Sequence, residues 1–297
     1  MPVEEQYIGL ALATGSSISI GISFIVTKKG LAHAEEQDGH YLSCLKSPIW
    51  WTGTIILAIG EIGNFAAYAF APAILVTPLG AISVITGALL GSYFLQEKLG
   101  VLGKLGSFTC LMGALLIVLH TPPNENIETI DQFLDYAIQP GFLLYTLFVV
   151  GFTVTMIYKI APTYGKKSPL VYVSICSAVG SVSVMSTKAF GMALKLTFAG
   201  ENQFTHPVTY ILMISMAACI LTQMSYFNQA LSIFPSNIVN PLYYVFFTTA
   251  TLCASVSLFG GINTSGTVES LSLFCGLLLN FAGVYLLNMS RFDPPVH

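Results

Sequence analysis

Ala71-Pro72-Ala73-Ile74-Leu75-Val76-Thr77-Pro78 has a counterpart far along the chain in Phe234-Pro235-Ser236-Asn237-Ile238-Val239-Asn240-Pro241. The two prolines are spaced alike in both stretches, and a valine stands two residues before the second proline in each. Each stretch lies between two long apolar runs, so each reads as the tip of a helical hairpin, and one hairpin is written twice. Weaker matches extend the repeat. Ser17, Ser23, Thr27 and Lys28 stand to Ser177, Ser183, Thr187 and Lys188 at one constant separation, and Gly113 to Leu116 resembles Gly283 to Leu286.

The rest of the chain says what solvent those hairpins meet. Of 297 residues, 54% are hydrophobic and only 8% charged, with a mean hydropathy of +0.75. A soluble domain commits about 25% of its residues to charge. A water-soluble globule, a disordered tail and a nucleic-acid binder with a basic face are all excluded, and lipid is the partner of most of the surface. Fourteen acids and eleven bases leave a net charge of -3. The six cysteines (Cys44, Cys110, Cys176, Cys219, Cys253 and Cys275) are widely spaced, with no CxxC pair and no histidine at metal spacing, and read as packing residues. The first apolar segment follows Glu4 and Glu5 rather than a basic start, which predicts an ordinary retained span.

A bilayer-crossing helix needs about 20 mostly apolar residues. Such windows predict an all-α polytopic membrane protein with nine spans: Gln6 to Thr27, Ile49 to Ala71, Ala73 to Leu95, Leu102 to His120, Gly141 to Tyr158, Pro169 to Thr187, Val208 to Leu231, Ile238 to Phe259 and Leu271 to Asn288. Short cytoplasmic loops carry the excess of Lys and Arg. Nine of the eleven bases (Lys28, Lys29, Lys46, Lys98, Lys104, Lys159, Lys166, Lys167 and Arg291) fall on one side of this arrangement. That side is the cytoplasm, which puts the amino terminus outside and the carboxyl terminus inside.

Spans one to four then match spans six to nine, and the single fifth span makes the second copy enter the membrane from the opposite side. The chain is one membrane domain, 1–297, with repeat one at 6–120, a connecting span at 141–158 and repeat two at 169–288. Inverted repeats of this kind build alternating-access transporters. Pro78 and Pro241, inside their helices, each remove a main-chain hydrogen bond and free a carbonyl; the expectation is a gate or hinge, against the simpler reading of a kink.

Glu61 is the only acid deep within a span. An ionised carboxylate in hydrocarbon costs several kcal/mol unless it faces water or a partner, so Glu61 is expected to handle a cation; the alternative is a protonated or lysine-paired group that holds the fold. Asn64 lies three residues on, on the same helical face, with Tyr68 beyond. Gln223, Tyr226, Asn228 and Gln229 make a second polar patch, and Asn240 and Asn280 are further amides at membrane depth; singly, each of these also reads as interhelical glue. Glu61, Asn64, Gln223 and Asn228 are the expected ion ligands. One carboxylate with several neutral oxygens suits a hard cation that keeps part of its water, not zinc or copper, which want His and Cys. Lys28 and Lys188 sit at matching span ends, where snorkelling to headgroups is the default and an electrostatic gate the alternative. The acidic stretch from Asn124 to Asp135 reads either as a cation-concentrating loop or as a solvated amphipathic segment. No enzyme motif is present: there is no HExxH and no Gly-rich phosphate loop.

Gly60-Glu61-Ile62-Gly63-Asn64-Phe65-Ala66-Ala67-Tyr68-Ala69-Phe70-Ala71-Pro72-Ala73, continuing through Leu75-Val76-Thr77-Pro78-Leu79-Gly80-Ala81, resembles the NIPA family of magnesium transporters. Thr222-Gln223, Tyr226, Asn228, Ala230-Leu231, Phe234, Pro241, Tyr243-Tyr244-Val245 and Phe247-Thr248-Thr249 resemble it again. The resemblance implies nine spans, kinship with the drug/metabolite transporter superfamily, and uptake of magnesium into the cytosol at the plasma membrane or early endosomes. It carries over to Glu61 and Asn64. Magnesium is then the transported ion rather than a cofactor, the expected partners are the bilayer and that ion with no nucleic acid, and entry driven by the membrane potential is the expected mechanism. A carrier of a small organic solute, anchored by a base such as Lys188, and a non-transporting membrane scaffold are the competing classes.

Overall fold

The computed structural model describes residues 3–38, 41–70, 79–96, 100–120, 130–198, 200, 203–259 and 267–290. Among these residues the chain is helical, with no strand. In chain order the helices are α1 (Val3–Asp38), α2 (Pro48–Phe70), α3 (Ala81–Phe94), α4 (Val101–His120), α5 (Ile130–Ala137), α6 (Pro140–Tyr164), α7 (Pro169–Phe198), α8 (Pro207–Ile233), α9 (Ser236–Phe259) and α10 (Thr267–Met289). Prolines 48, 140, 169 and 207 open four of them, because proline at the first helical position lacks only an N–H that would be unpaired anyway. Ser47 supplies the missing acceptor at α2: its Oγ takes the Trp50 N–H at 3.4 Å.

Among the described residues six helices are long and apolar enough to cross a membrane: Tyr7–Ala34, Pro140–Tyr164, Pro169–Gly191, Pro207–Ile233, Ser236–Leu258 and Leu271–Met289. Ala81–Phe94 and Val101–Ile117 are shorter apolar helices among the described residues. The hairpin expected at Pro235 is present. Phe234 N–H still closes α8 on Ala230 O at 3.0 Å, and the N–H groups of Ile238 and Val239 already bond Pro235 O at 3.0 Å, so the chain reverses within a few residues. Its expected twin at Ala71-Pro72, and with it Pro78, lies outside the described residues. Serine and threonine hydroxyls along the spans mostly bond carbonyls three or four residues back, as in Thr14 to Leu10 and Ser23 to Ile20, which satisfies them where no water is available.

The chain clusters into two compact units, Met1–His120 with Asn228–Val245 and Val268–His297, and Thr121–Phe227 with Phe246–Thr267. In the first, α1 and α2 run antiparallel on a seam of small residues. A Cβ built on Gly60 would meet Ile20 and Ser16 of α1, one on Gly53 would meet Thr27, and one on Gly30 would meet Trp50. The seam between α4 and α10 is equally close. Gly106 abuts Leu287, Cys110 abuts Gly283, Gly113 abuts Asn280 and Ile117 abuts Gly276, which makes this pair antiparallel too. A Cβ on Gly283 would fall 2.6 Å from Cys110 N, and one on Gly106 2.8 Å from Leu287 N. Only glycine lets backbones approach so closely.

In the second unit, Phe133, Phe142, Met185, Ala189, Ala254 and Leu258 form a core. The Tyr145 hydroxyl of α6 lies 2.7 Å from Ser181 Oγ of α7 and donates to Ala250 O of α9 at 3.0 Å. Helix α6 runs on past the expected end of the fifth span through a π turn, Met156–Ile160. Pro162 accounts for it, since its missing N–H leaves the carbonyl one turn back without the usual partner.

Candidate ion site

Gly53, Gly60 and Ala67 recur every seven residues on α2 and are buried against α1, while Ile55, Ile59, Ile62 and Phe65 are exposed. At 3.6 residues per turn, Glu61 stands about 105° and Asn64 about 165° round the axis from the centre of that apolar face. Glu61 is exposed and Asn64 is half-buried. Among the described residues neither a hydrogen bond nor an ion pair engages the Glu61 carboxylate. The lysine-paired alternative thus has no counterpart among those residues, and the carboxylate keeps its oxygens available.

Asn228, on α8 within the first unit, is buried at 7% exposure. Gln223, one turn earlier on the same helix, is half-buried in the second unit, and its Oε1 lies 3.0 Å from where Gly180 would carry a Cβ. Glu61, Asn64 and Asn228 therefore share a unit, while Gln223 packs within the other. No hydrogen bond among the described residues joins Glu61 to Asn64 or to Asn228. Pro241 is inside α9 and buried. Lys188 is on α7, and its side chain lies outside what the structure describes, as Pro78 does.

Lys28 departs from the snorkelling expectation. It is half-buried, and its Nζ donates to Phe234 O at 2.6 Å. The acceptor lies at the carbonyl end of α8 just before Pro235, a helix terminus that attracts a cation. Sequence reasoning also undervalued Asn240 and Asn280. Both are buried at 2% exposure, and none of their side-chain polar atoms has a hydrogen-bond partner among the described residues. Ser17 and Ser177, matched positions of the repeat, share the same condition at 1% exposure. No group of three or more His, Cys, Asp or Glu residues gathers at metal-binding distance among the described residues. The six cysteines are free thiols.

Part of the acidic stretch is now placed: residues 130–137 are helical with Phe133 buried in the second unit's core, the amphipathic alternative. Residues 121–129 lie outside the described residues.

Several helices long and apolar enough to cross a bilayer define the class, a multi-pass helical membrane protein. The profile of the family described as "Magnesium transporter NIPA" matches residues 4–292. A Candida albicans protein named "Probable magnesium transporter" is 58% identical over 99% of this chain and 81% of its own. Arabidopsis thaliana proteins named "Probable magnesium transporter NIPA3" and "Probable magnesium transporter NIPA1" are 46% and 44% identical, each over 95% of this chain and over 78% and 86% of their own. No solved structure matches. The chain belongs to the NIPA magnesium transporter family, and is a membrane transporter rather than an enzyme.

Proposed function

We propose that the chain carries magnesium into the cytosol down the membrane potential, through nine spans built as two inverted repeats, 6–120 and 169–288, joined by the span 141–158. The observation that carries this reading is Glu61: an acid at mid-span, exposed, set on the edge of α2 away from its apolar face, with no partner among the described residues. A hard, partly hydrated cation is held through one or two carboxylates plus neutral oxygens. Glu61 supplies the charge, and Asn64 and Asn228 of the same unit replace outer waters. A divalent ion gains about 4.6 kcal/mol per 100 mV, so no coupling ion is required.

The α4–α10 seam supports the inverted arrangement. Gly106 and Gly276, Cys110 and Asn280, Gly113 and Gly283, and Ile117 and Leu287 are four pairs at one constant separation in sequence. Gly106 touches Leu287 while Ile117 touches Gly276, and Cys110 touches Gly283 while Gly113 touches Asn280. This reciprocity, in which each residue meets the mate of its partner, is the mark of a two-fold-related contact. The Gly60–Ile20 contact in one unit and the Gln223–Gly180 contact in the other also occupy matching positions.

Lys28 and Lys29 within α1, Lys104 early in α4 and Lys166 and Lys167 after α6 support an inner, cytoplasmic face and an outer amino terminus; a plasma-membrane or early-endosomal address rests on family resemblance. Pro78, Pro241, Lys28 and Lys188 are the proposed hinge and gate positions.

The test is water access. In a cysteine-free background, Glu61→Cys should react with a membrane-impermeant thiol reagent, and magnesium should slow the reaction. A cysteine there that never labels in folded vesicles, yet labels after denaturation, contradicts the reading.

A further inference from the structure

Asn240 is one of the buried polar groups outside the proposed set of ion ligands. Its carboxamide is 2% exposed, with neither Oδ1 nor Nδ2 hydrogen-bonded among the described residues, a condition that costs about 1–3 kcal/mol per group. It lies against α3 where only a glycine fits: a Cβ on Gly87 would stand 3.1 Å from Asn240 Nδ2 and 3.7 Å from Gly21 O of α1. The next residue, Pro241, is inside α9 and brings no N–H to the helix's hydrogen-bond ladder.

Register within the first unit fixes the depth of this group. Gly60 of α2 abuts Ile20 of α1, Gly21 of α1 abuts Thr86 of α3, and Gly87 of α3 abuts Asn240 of α9. Asn240 therefore lies within about one helical turn (~5 Å) of Glu61 along the bundle axis, displaced toward the end that bears Lys28.

We propose that Asn240 is a second ligand for the transported divalent cation, a transfer station one turn inward of Glu61, whose carboxamide oxygen takes the ion as it leaves the carboxylate. This rests on the reading of Glu61 as the entry ligand. The site is weak by construction. Asn240 is neutral, and it sits in the first turns of α9, where the helix end is positive, with Lys28 held close by at Phe234. Conduction needs sites that an ion can leave, and a neutral oxygen beside positive charge releases a cation toward the cytosol instead of retaining it.

The experiment is magnesium flux into proteoliposomes, read with a trapped magnesium dye, for wild type, Asn240→Leu, Asn240→Asp and Glu61→Gln, with melting temperature in detergent measured on each. Asn240→Leu has the same branching without the polar atoms. It should melt no lower than wild type, because an unpaired amide has been removed, yet lose about tenfold in maximal flux, equivalent to about 1.4 kcal/mol at the barrier. Asn240→Asp should lower both the half-saturating magnesium concentration and the maximal rate, because the ion is held. If Asn240→Leu fails to fold, Asn240→Ala replaces it with the same expected loss of flux. Wild-type flux in the Leu or Ala variant, with Glu61→Gln inactive, overturns this proposal alone. Wild-type flux in Glu61→Gln overturns the reading beneath it. A flux loss at residue 240 that merely tracks a lowered melting temperature, with the Asp variant kinetically normal, assigns Asn240 to packing and also overturns the proposal.

Discussion

Lys28 Nζ donates a 2.6 Å hydrogen bond to the main-chain oxygen of Phe234, tying α1 to the turn between α8 and α9. The oxygen belongs to the carbonyl-rich end of α8, where a positive charge is favoured by the helix dipole. A charge-assisted bond in a poorly hydrated place is worth about 1.5–3 kcal/mol. Lys28→Met should therefore lower the melting temperature in detergent by several degrees, whereas Lys28→Arg, which keeps a donor and the charge, should recover part of the loss. An unchanged melting temperature in Lys28→Met would mean the contact contributes nothing.

The α4–α10 seam makes a symmetric prediction. Gly113→Ala would place a methyl against Asn280, and Gly283→Ala one against Cys110 at 2.6 Å. Overpacking of this sort costs about 1–3 kcal/mol, and the reciprocal contacts predict similar losses for both. Gly151→Ala, with nothing within 4 Å of the new methyl, should be neutral or stabilising by up to about 1 kcal/mol through helix propensity. Thermal unfolding of the three variants in one detergent checks this ordering.

Tyr145 predicts coupling. Its hydroxyl meets Ser181 Oγ and Ala250 O, so Tyr145→Phe should cost about 1–2 kcal/mol. Once it is made, Ser181→Ala should cost less than in wild type, because both changes remove the same bond. Strict additivity in the double mutant would break the network reading.

Cys44 lies in the short turn Tyr41–Lys46 outside the spans and is 4% exposed. Burial pushes its thiol above the ordinary value, against a smaller opposing effect of main-chain hydrogen bonds at Leu45 and Cys44. Raising the folded value favours the folded state below the unfolded thiol's titration and withdraws that stability as pH rises through the folded value. Cys44 should resist an aqueous maleimide in the folded protein at mildly alkaline pH and react on unfolding, checked by peptide mass mapping before and after denaturation.

These particulars show which parts of the molecule can be read without coordinates. Six of the nine expected spans, the first and the fifth to ninth, were legible because twenty-residue apolar runs have few alternatives in a bilayer, and the edge shared by Glu61 and Asn64 follows from a spacing of three. Helix ends were less so. α1 continues past Thr27 through Lys28, Lys29, Glu35 and Glu36 to Asp38, because a helix leaving the membrane needs no apolar residue to continue. The fifth span, expected to end at Tyr158, continues as a helix through a π turn at Met156–Ile160. The partner of Lys28 and the stranded amide of Asn240 were not legible, since each depends on a contact far along the chain. A composition count cannot separate an interhelical amide that is satisfied from one that is not.

The central claim is that Glu61 is the charge that draws magnesium into the membrane. The direct measurement is the initial rate of magnesium entry into proteoliposomes at a clamped inside-negative potential, comparing wild type with Glu61→Gln at equal reconstitution. The account predicts a wild-type rate that climbs with the imposed potential and a rate at least about tenfold lower for the amide, a loss of about 1.4 kcal/mol or more. Equal rates in the two proteins, at every potential, would contradict it.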